Sequence, residues 1–176
     1  TSIVVPLLFR HFLGNIVDSK SMSNITAARL QKLSAIKFES LPLDYAIKTV
    51  RGNGKRKVAV FSDPDCPYCK RLEKDLAKVT DVTIYTFLYP IASLHPDAAR
   101  KSKLIWCAPN RQKAWDDYML RGELAAEKSC DTPLEEIQAN GKKHKMNGTP
   151  TLVFADGRVV PGAIPTSDME TYLNGK

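Results

Sequence analysis

Hydrophobic and polar residues recur along the chain with two different periods, and the change of period predicts where strands and helices lie. The runs at 57–61 (KVAVF) and 82–89 (VTIYTFLY) are short and rich in β-branched and aromatic residues, as buried strands are. Residues 149–162 (TPTLVFADGRVVPG) hold two more such runs, joined by Asp156–Gly157, a dipeptide that favours a hairpin turn. We therefore predict two buried strands followed, much later, by an antiparallel hairpin.

Between these strands, apolar residues recur every three or four positions, which is the spacing of a helix with one buried face. After the first strand, for example, Leu72, Leu76 and Val79 mark one apolar face. The predicted helical segments are 26–37, 43–50, 67–79, 96–108, 111–122, 133–145 and 167–173. The order of elements indicates an α/β protein with a mixed sheet and helices on its faces.

Composition and charge agree with a globular protein and do not point to nucleic acid. The chain has 176 residues, enough for one well-buried domain, and 43% of them are hydrophobic and 26% charged. The formal net charge is +7, but the densest basic runs, at 51–57 and 141–145, are short. Binding of phosphates requires an organised basic stripe, so we expect no nucleic-acid partner.

The apolar N-terminal stretch, residues 2–17, does not have the pattern of a membrane segment. Pro6, Arg10 and His11 interrupt it well short of the about 20 apolar residues that a spanning helix needs. It also lacks the basic start and the small-residue cleavage site of a signal peptide. This end of the chain therefore gives no indication of export.

The candidate chemistry lies in FSDPDCPYCK, residues 61–70, where two residues separate Cys66 from Cys69. The segment follows the first predicted strand, and Pro67 suits the first turn of the helix that comes next. The cysteines are therefore expected at the C-terminal end of a strand, where reactive groups gather in α/β sheets. Such a pair can bind a metal, form a structural disulfide or exchange disulfides with other proteins.

Metal binding and a purely structural disulfide both fit this pair poorly. A zinc site needs a second close pair of ligands, whereas Cys107 and Cys130 lie far along the chain and none of the three histidines completes a set. We therefore expect no metal and no cofactor. A disulfide between Cys66 and Cys69 would close so small a loop that it would remove little chain entropy from the unfolded state.

Redox exchange fits the position of the pair better. A sulfur at the start of a helix meets unpaired N–H groups and the positive end of the helix dipole, which favour the thiolate. Cys66 is expected at that place and is the candidate nucleophile, while Cys69, one turn further in, is the candidate resolving thiol. The expected sequence is thiolate attack, a mixed disulfide and release by the second thiol.

A second segment agrees with redox chemistry. The chain resembles redox domains of the thioredoxin class, in which a cis-proline loop lies opposite the two cysteines and precedes a hairpin strand. Thr149–Pro150 comes just before the predicted hairpin, and a cis bond before proline costs only about 0.5–1 kcal/mol. We therefore predict a cis peptide bond between Thr149 and Pro150.

The resemblance becomes more specific when several segments are read together. The DsbC/DsbG-type thiol:disulfide isomerases of the bacterial periplasm contain similar segments in the same order. These segments are NITAARLQKL, VAVFSDPDCPYCKRLE, LIWCA, SCD and NGTPTLVFADGRVVPG, within residues 14–173. The resemblance implies a thioredoxin-like fold with a helical insertion, preceded by a linker helix and a remnant of an N-terminal dimerisation domain.

The same resemblance implies roles for the matching residues. Cys66 and Cys69 correspond to the active pair, Thr149–Pro150 to the cis-proline loop, and Cys107 and Cys130 to a second, structural disulfide. The implied location is the periplasm, and the implied partners are misoxidised exported proteins and a membrane thiol reductant of the DsbD type. Four cysteines that can all pair agree with an oxidising compartment.

The implied domains are a remnant of the dimerisation domain over residues 1–25, the linker helix over 26–40 and the catalytic domain over 41–176. Within the remnant, only residues 10–20 resemble the family, as a single last strand. Intact family members form homodimers. We expect this chain to be a monomer or a weak dimer, because a single strand buries too little area for a stable interface.

The charged residues near the two cysteines and the aromatic residues also have expected positions. Asp63 and Asp65 either tune Cys66 or are surface turn residues, and His95 marks a helix entry. Tyr68 is expected to be exposed. Trp106 and Trp115 are expected in the core, because they lie on apolar helix faces.

The rivals to an isomerase or reductase are a dithiol oxidase that introduces disulfides and a chaperone-like binding module with incidental cysteines.

Overall fold

The computed structural model describes His11–Phe12, Asn15–Ile16 and residues 25–176, and the chain divides into two units between Ala35 and Ile36. In the first unit, strand β1 (His11–Phe12) pairs antiparallel with β2 (Asn15–Ile16). Helix α1 then spans Ile25–Leu33. None of the helices in the described ranges is long and apolar enough to span a membrane.

Two predictions for the first unit need correction. The single strand expected within residues 10–20 is wrong for the described residues, which form two short paired strands, since pairing satisfies backbone groups that a lone strand leaves free. Helix α1 also ends at Leu33, several residues before the predicted end, and the Ser34 hydroxyl donates to Leu30 O at 2.8 Å there. The chain turns extended by Lys37 (ψ 113°).

A five-stranded mixed sheet forms the centre of the second unit. Its strands are β3 (Ile47–Arg51), β4 (Arg56–Ser62), β5 (Val82–Leu88), β6 (Thr151–Phe154) and β7 (Val159–Pro161), in the spatial order β3-β5-β4-β6-β7. Only β4 and β5 run parallel, and the other neighbours are antiparallel. The central strand β4 is buried from Val58 to Ser62, as expected for a strand covered on both faces.

The helix predicted over 43–50 is wrong. Leu43–Tyr45 form one short 3-10 turn, after which Ala46 is extended (ψ 151°) and strand β3 begins at Ile47. Of the apolar residues used for the helix, only Ile47 lies on the buried face of this strand, together with Thr49, whereas Val50 is 54% exposed. Pairing with β5 selects the strand, because tertiary contacts override weak local preference.

The other predicted helices are confirmed within a few residues of their predicted ends. They are α2 (Pro67–Leu76), α3 (Ala98–Cys107), α4 (Arg111–Arg121), α5 (Leu134–Lys143) and α6 (Thr166–Leu173). Helix α4 shows the local causes of its ends: the Asn110 side chain accepts from Lys113 N at 2.9 Å, and Gly122 takes the left-handed conformation (φ 73°). Helices α3, α4 and α5 all lie between β5 and β6 in the chain.

The predicted hairpin is confirmed as β6 and β7. Gly157 occupies its turn at φ 91°, where a side chain would be strained, and the Asp156 carboxylate accepts from Arg158 N at 3.0 Å. Since β6 also pairs with β4, Thr151 lies opposite Phe61 in the register. The loop before β6 and the loop after β4 therefore meet at the same edge of the sheet.

Three buried hydrophobic clusters fill the second unit. The first contains Cys66 and Cys69 packed with Trp115 of α4. The second includes the stacked rings of Phe61 and Phe87, whose centroids lie 4.7 Å apart. The third joins α2 and α6 to the sheet. The paired cysteines are therefore part of the core and not of a separate surface loop.

Candidate active site

Cys66 lies at the N-terminus of α2, four residues after β4 ends at Ser62. Its backbone is extended (φ −75°, ψ 121°) as the N-cap residue, and Pro67 opens the helix. Its N–H donates to Asp63 O at 3.2 Å, which closes the tight turn between strand and helix. Cys66 therefore occupies the N-terminal end of α2, where backbone N–H groups lack helical partners, and its sulfur makes no capping hydrogen bond to them.

Cys69 lies one turn further along α2 and is completely buried. Its Sγ accepts a weak hydrogen bond from Asp63 N at 3.5 Å. Burial, with a smaller contribution from Cys66, raises the pKa of the Cys69 thiol to about 12. Both thiols are free in this structure. At neutral pH, Cys69 is therefore a protonated thiol that attacking groups from solvent cannot reach.

The loop before β6 lies against Cys66. The peptide bond between Thr149 and Pro150 is cis, and Pro150 is buried. The Cys66 thiol is 3.5 Å from Thr149 O, which accepts its hydrogen bond. The pairing of β4 with β6 brings these residues together from positions 83 apart in the sequence.

Asp63 is a buried anchor of the active loop. Its carboxylate accepts from Asp65 N at 2.8 Å and from Ile91 N at 2.8 Å, and its Oδ2 also forms a hydrogen bond with Nδ1 of His95 at 2.9 Å. The interpretation of Asp63 as a surface turn residue is therefore wrong, because the loop after β5 covers it and supplies two of its three partners. His95 precedes α3, as predicted, and its ring binds Asp63.

Asp65 is also more than a surface turn residue. Its Oδ1 accepts from Lys101 Nζ at 2.7 Å and from the Tyr118 hydroxyl at 2.6 Å, and its side chain is only 18% exposed. Burial alone would raise the pKa of Asp65, but the hydrogen bonds and positive charges of its neighbours outweigh burial and lower it. Asp65 is therefore an ionised carboxylate directly before Cys66. Sequence reasoning missed both Lys101 and Tyr118.

Glu73 is a second site-adjacent residue that sequence reasoning missed. It follows Cys69 by four residues on the buried face of α2, and its Oε1 has no hydrogen-bond partner in the described part of the chain. Burial raises the pKa of Glu73 to about 7, with nearby Asp116 adding to the effect and Arg51 opposing it. Its spacing from Cys69 and Leu76, four and three positions away, was a signal in the sequence that it shares their buried face.

The aromatic residues lie where the sequence predicted. Tyr68, between the two cysteines, is 60% exposed, and the Arg71 guanidinium lies 5.5 Å from its ring centroid. Trp106 and Trp115 are buried in the first cluster. Tyr68 is thus the aromatic side chain of the active loop that can contact another protein.

Cys107 and Cys130 form a disulfide. It joins the last residue of α3 to the stretch of irregular chain between α4 and α5. Cys107 belongs to the same buried cluster as Cys66 and Cys69. No group of three or more His, Cys, Asp or Glu residues in the described ranges is arranged to hold a metal ion.

This geometry defines a class of protein. A mixed sheet, a cysteine pair where β4 leads into α2, and a cis-proline beside it match the thioredoxin-class arrangement inferred from the sequence. The sequence matches the thioredoxin-like domain family (Thioredoxin_2) over residues 43–175. The predicted thioredoxin-like α/β fold is confirmed.

Comparisons with individual proteins show more specifically which members of this class the chain resembles. A probable thiol:disulfide interchange protein DsbC of Bordetella pertussis is 42% identical over 160 residues, covering 91% of this chain and 57% of that protein. The DsbC protein of Escherichia coli is 34% identical over 122 residues, covering 68% of this chain and 51% of that protein. The crystal structure of a disulfide interchange protein from Neisseria gonorrhoeae has a TM-score of 0.74 and 54% identity, covering 77% of this chain and 97% of that one.

The chain therefore belongs to the DsbC-like thiol:disulfide interchange proteins of the thioredoxin superfamily. It spans a little over half the length of the curated relatives it matches, 57% in Bordetella pertussis. The resemblance stated from the sequence is confirmed.

Proposed function

We propose that this protein reduces or isomerises incorrect disulfides in exported proteins through Cys66 and Cys69. The observation that carries the proposal is the asymmetry of the pair. Cys66 is the N-cap residue of α2, 5% exposed, with its sulfur 3.5 Å from Thr149 O, whereas Cys69 lies one turn inside the helix with no exposure and its pKa is raised to about 12. One sulfur is thus placed to attack a client and the other is held back.

The first step is attack by the Cys66 thiolate on one sulfur of a client disulfide. A bond forms between Cys66 Sγ and that sulfur, the client disulfide breaks, and the electron pair leaves on the second client sulfur as a thiolate. The helix N-terminus stabilises the attacking thiolate through its free N–H groups. The Thr149 carbonyl, which accepts from Cys66 in the resting site, lies beside the new mixed disulfide.

Two outcomes follow from the mixed disulfide. In isomerisation, the freed client thiolate attacks another client disulfide, and a client sulfur finally displaces Cys66 with no net electron transfer. In reduction, Cys69 loses its proton and attacks Cys66 Sγ, so that the client leaves with two thiols and the protein keeps a Cys66–Cys69 disulfide. That disulfide must then receive two electrons from a reductant, for which we propose a membrane thiol reductant of the DsbD type.

The names of the relatives support this proposal, since they are thiol:disulfide interchange proteins. We place the reaction in the periplasm, where disulfides form and persist. The Cys107–Cys130 disulfide agrees with such an oxidising compartment. Tyr68, exposed between the two active cysteines, is the side chain we expect clients to contact.

Refolding of a scrambled disulfide protein tests the proposal against its two rivals. With the pair reduced, we expect native disulfides to form, Cys66→Ser to abolish the activity, and Cys69→Ser to trap mixed disulfides. A dithiol oxidase would act on a reduced client only when its own pair is oxidised. A binding module would assist refolding equally well with both cysteines replaced, which would overturn the proposal.

A further inference from the structure

A buried ionic cluster links the helical insertion to the active loop. Its members are Asp65, which directly precedes Cys66, Lys101 of α3 and Tyr118 of α4. Asp65 Oδ1 accepts from both partners, at 2.7 Å from Lys101 Nζ and 2.6 Å from the Tyr118 hydroxyl. The side chains of Asp65 and Lys101 are only 18% and 20% exposed, and Tyr118 is buried in the same cluster as Cys66.

The cluster holds two full charges of opposite sign in a poorly solvated place. The carboxylate is bound by two donors, and Lys101 is bound in turn, which raises its pKa, chiefly through the hydrogen bond to Asp65. Two ammonium groups also lie near the Tyr118 ring, with Lys70 Nζ 4.8 Å and Lys101 Nζ 5.4 Å from its centroid. These contacts fix the distance between Lys101 and the active loop.

A carboxylate next to a sulfur opposes ionisation of that sulfur, because two negative charges in a poorly solvated site repel each other. Asp65 alone would therefore work against the helix N-terminus, which favours the Cys66 thiolate. Lys101 Nζ lies 2.7 Å from the same carboxylate, so its positive charge opposes the effect of Asp65.

We propose that Lys101 is a positioning residue that neutralises Asp65 and so sets how readily the Cys66 thiolate forms. This inference rests on the proposed function, in which Cys66 is the attacking sulfur. It assigns the α3 and α4 insertion a part in the chemistry through Lys101 and Tyr118.

Other charged or titratable groups lie on the elements around Cys66. On the loop after β4, Asp63 is bound by His95 from the loop before α3. On α2, Cys69 is a buried thiol and Lys70 lies against the Tyr118 ring. On the loop before β6, the neighbour is the uncharged Thr149 carbonyl. The remaining titratable groups are Tyr118 of α4, which donates to Asp65, and Glu73 on the buried face of α2.

The test measures the pH midpoint of Cys66 alkylation by iodoacetamide in the full chain carrying Cys69→Ser. Relative to that parent, Lys101→Gln should raise the midpoint and Asp65→Asn should lower it, each by about one pH unit. The double variant Asp65→Asn/Lys101→Gln should return close to the parent, because both charges are then gone. This pattern of opposite shifts that cancel is specific to electrostatics.

Matched variants separate this effect from simple loss of structure. Lys101→Arg keeps the charge and should leave the midpoint near that of the parent. Lys103→Gln removes an exposed charge from the same helix and should have no effect. In the protein with both active cysteines, Lys101→Gln should make the pair about tenfold more reducing against glutathione, which is about 30 mV for two electrons.

Each failure has a distinct signature. If Lys101→Gln and Asp65→Asn shift the midpoint in the same direction, or do not shift it while Lys101→Arg is folded, the inference is wrong. If Cys66→Ser leaves disulfide exchange intact, the proposed function is wrong, whatever the alkylation midpoints show. If the alkylation midpoint shifts as expected but the protein has no disulfide exchange activity, the role of Lys101 is upheld and the proposed function is refuted.

Discussion

At the scale of single residues, the two active cysteines differ in position more than in burial. Both belong to the first hydrophobic cluster, but Cys66 is the N-cap residue of α2, against the Thr149 carbonyl, whereas Cys69 lies one turn inside the helix. Burial raises the pKa of the Cys69 thiol. The same sequence motif therefore gives two sulfurs with different chemistry.

We predict that iodoacetamide modifies Cys66 and spares Cys69 in the reduced protein at pH 7. The reason is that Cys69 is completely buried and its pKa is raised to about 12, so almost none of it is thiolate. Peptide mapping by mass spectrometry gives the ratio of the two products. Unfolding the protein in urea before labelling should equalise them, and preferential modification of Cys69 in the folded state would contradict the assignment.

Glu73 predicts a pH dependence of stability. Burial raises its pKa from 4.5 to about 7, so the folded protein favours the protonated form. The stability associated with this group is fully present below about pH 4.5 and is lost as the pH rises through about 7. The expected loss is about 3 kcal/mol, at about 1.4 kcal/mol for each unit of pKa.

The test is urea unfolding between pH 4 and pH 8 for the protein and for Glu73→Gln. The neutral amide cannot ionise, so the stability of the variant relative to the parent should rise by about 3 kcal/mol across this range. The exposed Glu39→Gln serves as the control and should run parallel to the parent. A constant difference between Glu73→Gln and the parent at all pH values would refute the pKa shift.

At the scale of elements, local pattern predicted what depends on local sequence. Strand β4, helix α2 and the β6–β7 hairpin were predicted closely, because each has a strong period and a distinct terminus, such as Pro67 or Asp156–Gly157. Strand β3 was missed because its apolar residues do not alternate, with Ile47 buried and Val50 exposed, and its pairing with β5 depends on distant sequence.

In the candidate site, too, the residues of short motifs could be predicted from the sequence and their distant partners could not. The two cysteines and Pro150 form short motifs that can be recognised directly. The surroundings of Asp63 and Asp65 were not predictable, because their partners His95, Lys101 and Tyr118 are 32 to 53 positions away and are brought in by the fold. A charged residue near a motif gives no sign of its burial until its tertiary partners are known.

Helix α5 packs unusually close to the end of β5 at Gly141. A Cβ added there would lie 2.4 Å from Cε2 of Tyr89, whose hydroxyl donates to Met146 O at 3.2 Å. Gly141→Ala should therefore destabilise the protein by about 1–2 kcal/mol, since overpacking outweighs the better helix propensity of alanine. In denaturant unfolding, Gly148→Ala is the matched control, because nothing lies within 4 Å of its added Cβ. Equal stability of the two variants would refute the close packing.

The Cys107–Cys130 disulfide links α3 to irregular chain over a sequence separation of 23. Closing a loop of this size removes entropy from the unfolded state and is worth about 3–4 kcal/mol in the chain-entropy model. We predict that Cys107→Ser/Cys130→Ser loses about 3 kcal/mol in guanidinium unfolding. Both proteins should carry Cys66→Ser and Cys69→Ser, so that no other disulfide forms. A loss below about 1 kcal/mol would show that the link adds little.

At the scale of the whole molecule, the three hydrophobic clusters of the described residues consist of residues of the second unit. Their first member is Ile36, which packs with Phe38, Leu41 and Phe61. The sequence placed the start of the catalytic domain at residue 41, whereas the structure divides the chain between Ala35 and Ile36. The expected monomer or weak dimer stays a prediction, and so does the assignment of residues 1–25 to a dimerisation remnant.

We predict that a protein made of residues 36–176 folds alone, with the denaturant midpoint and the disulfide-reductase rate of the full chain. Starting at residue 47 would also remove Ile36, Phe38 and Leu41, which are each at least 95% buried. Each such side chain contributes about 1.5–3 kcal/mol, and together they equal much of the 5–15 kcal/mol that typically holds a domain folded. We therefore expect residues 47–176 to lose cooperative unfolding. If residues 36–176 lose it as well, the catalytic unit requires the segment before Ile36.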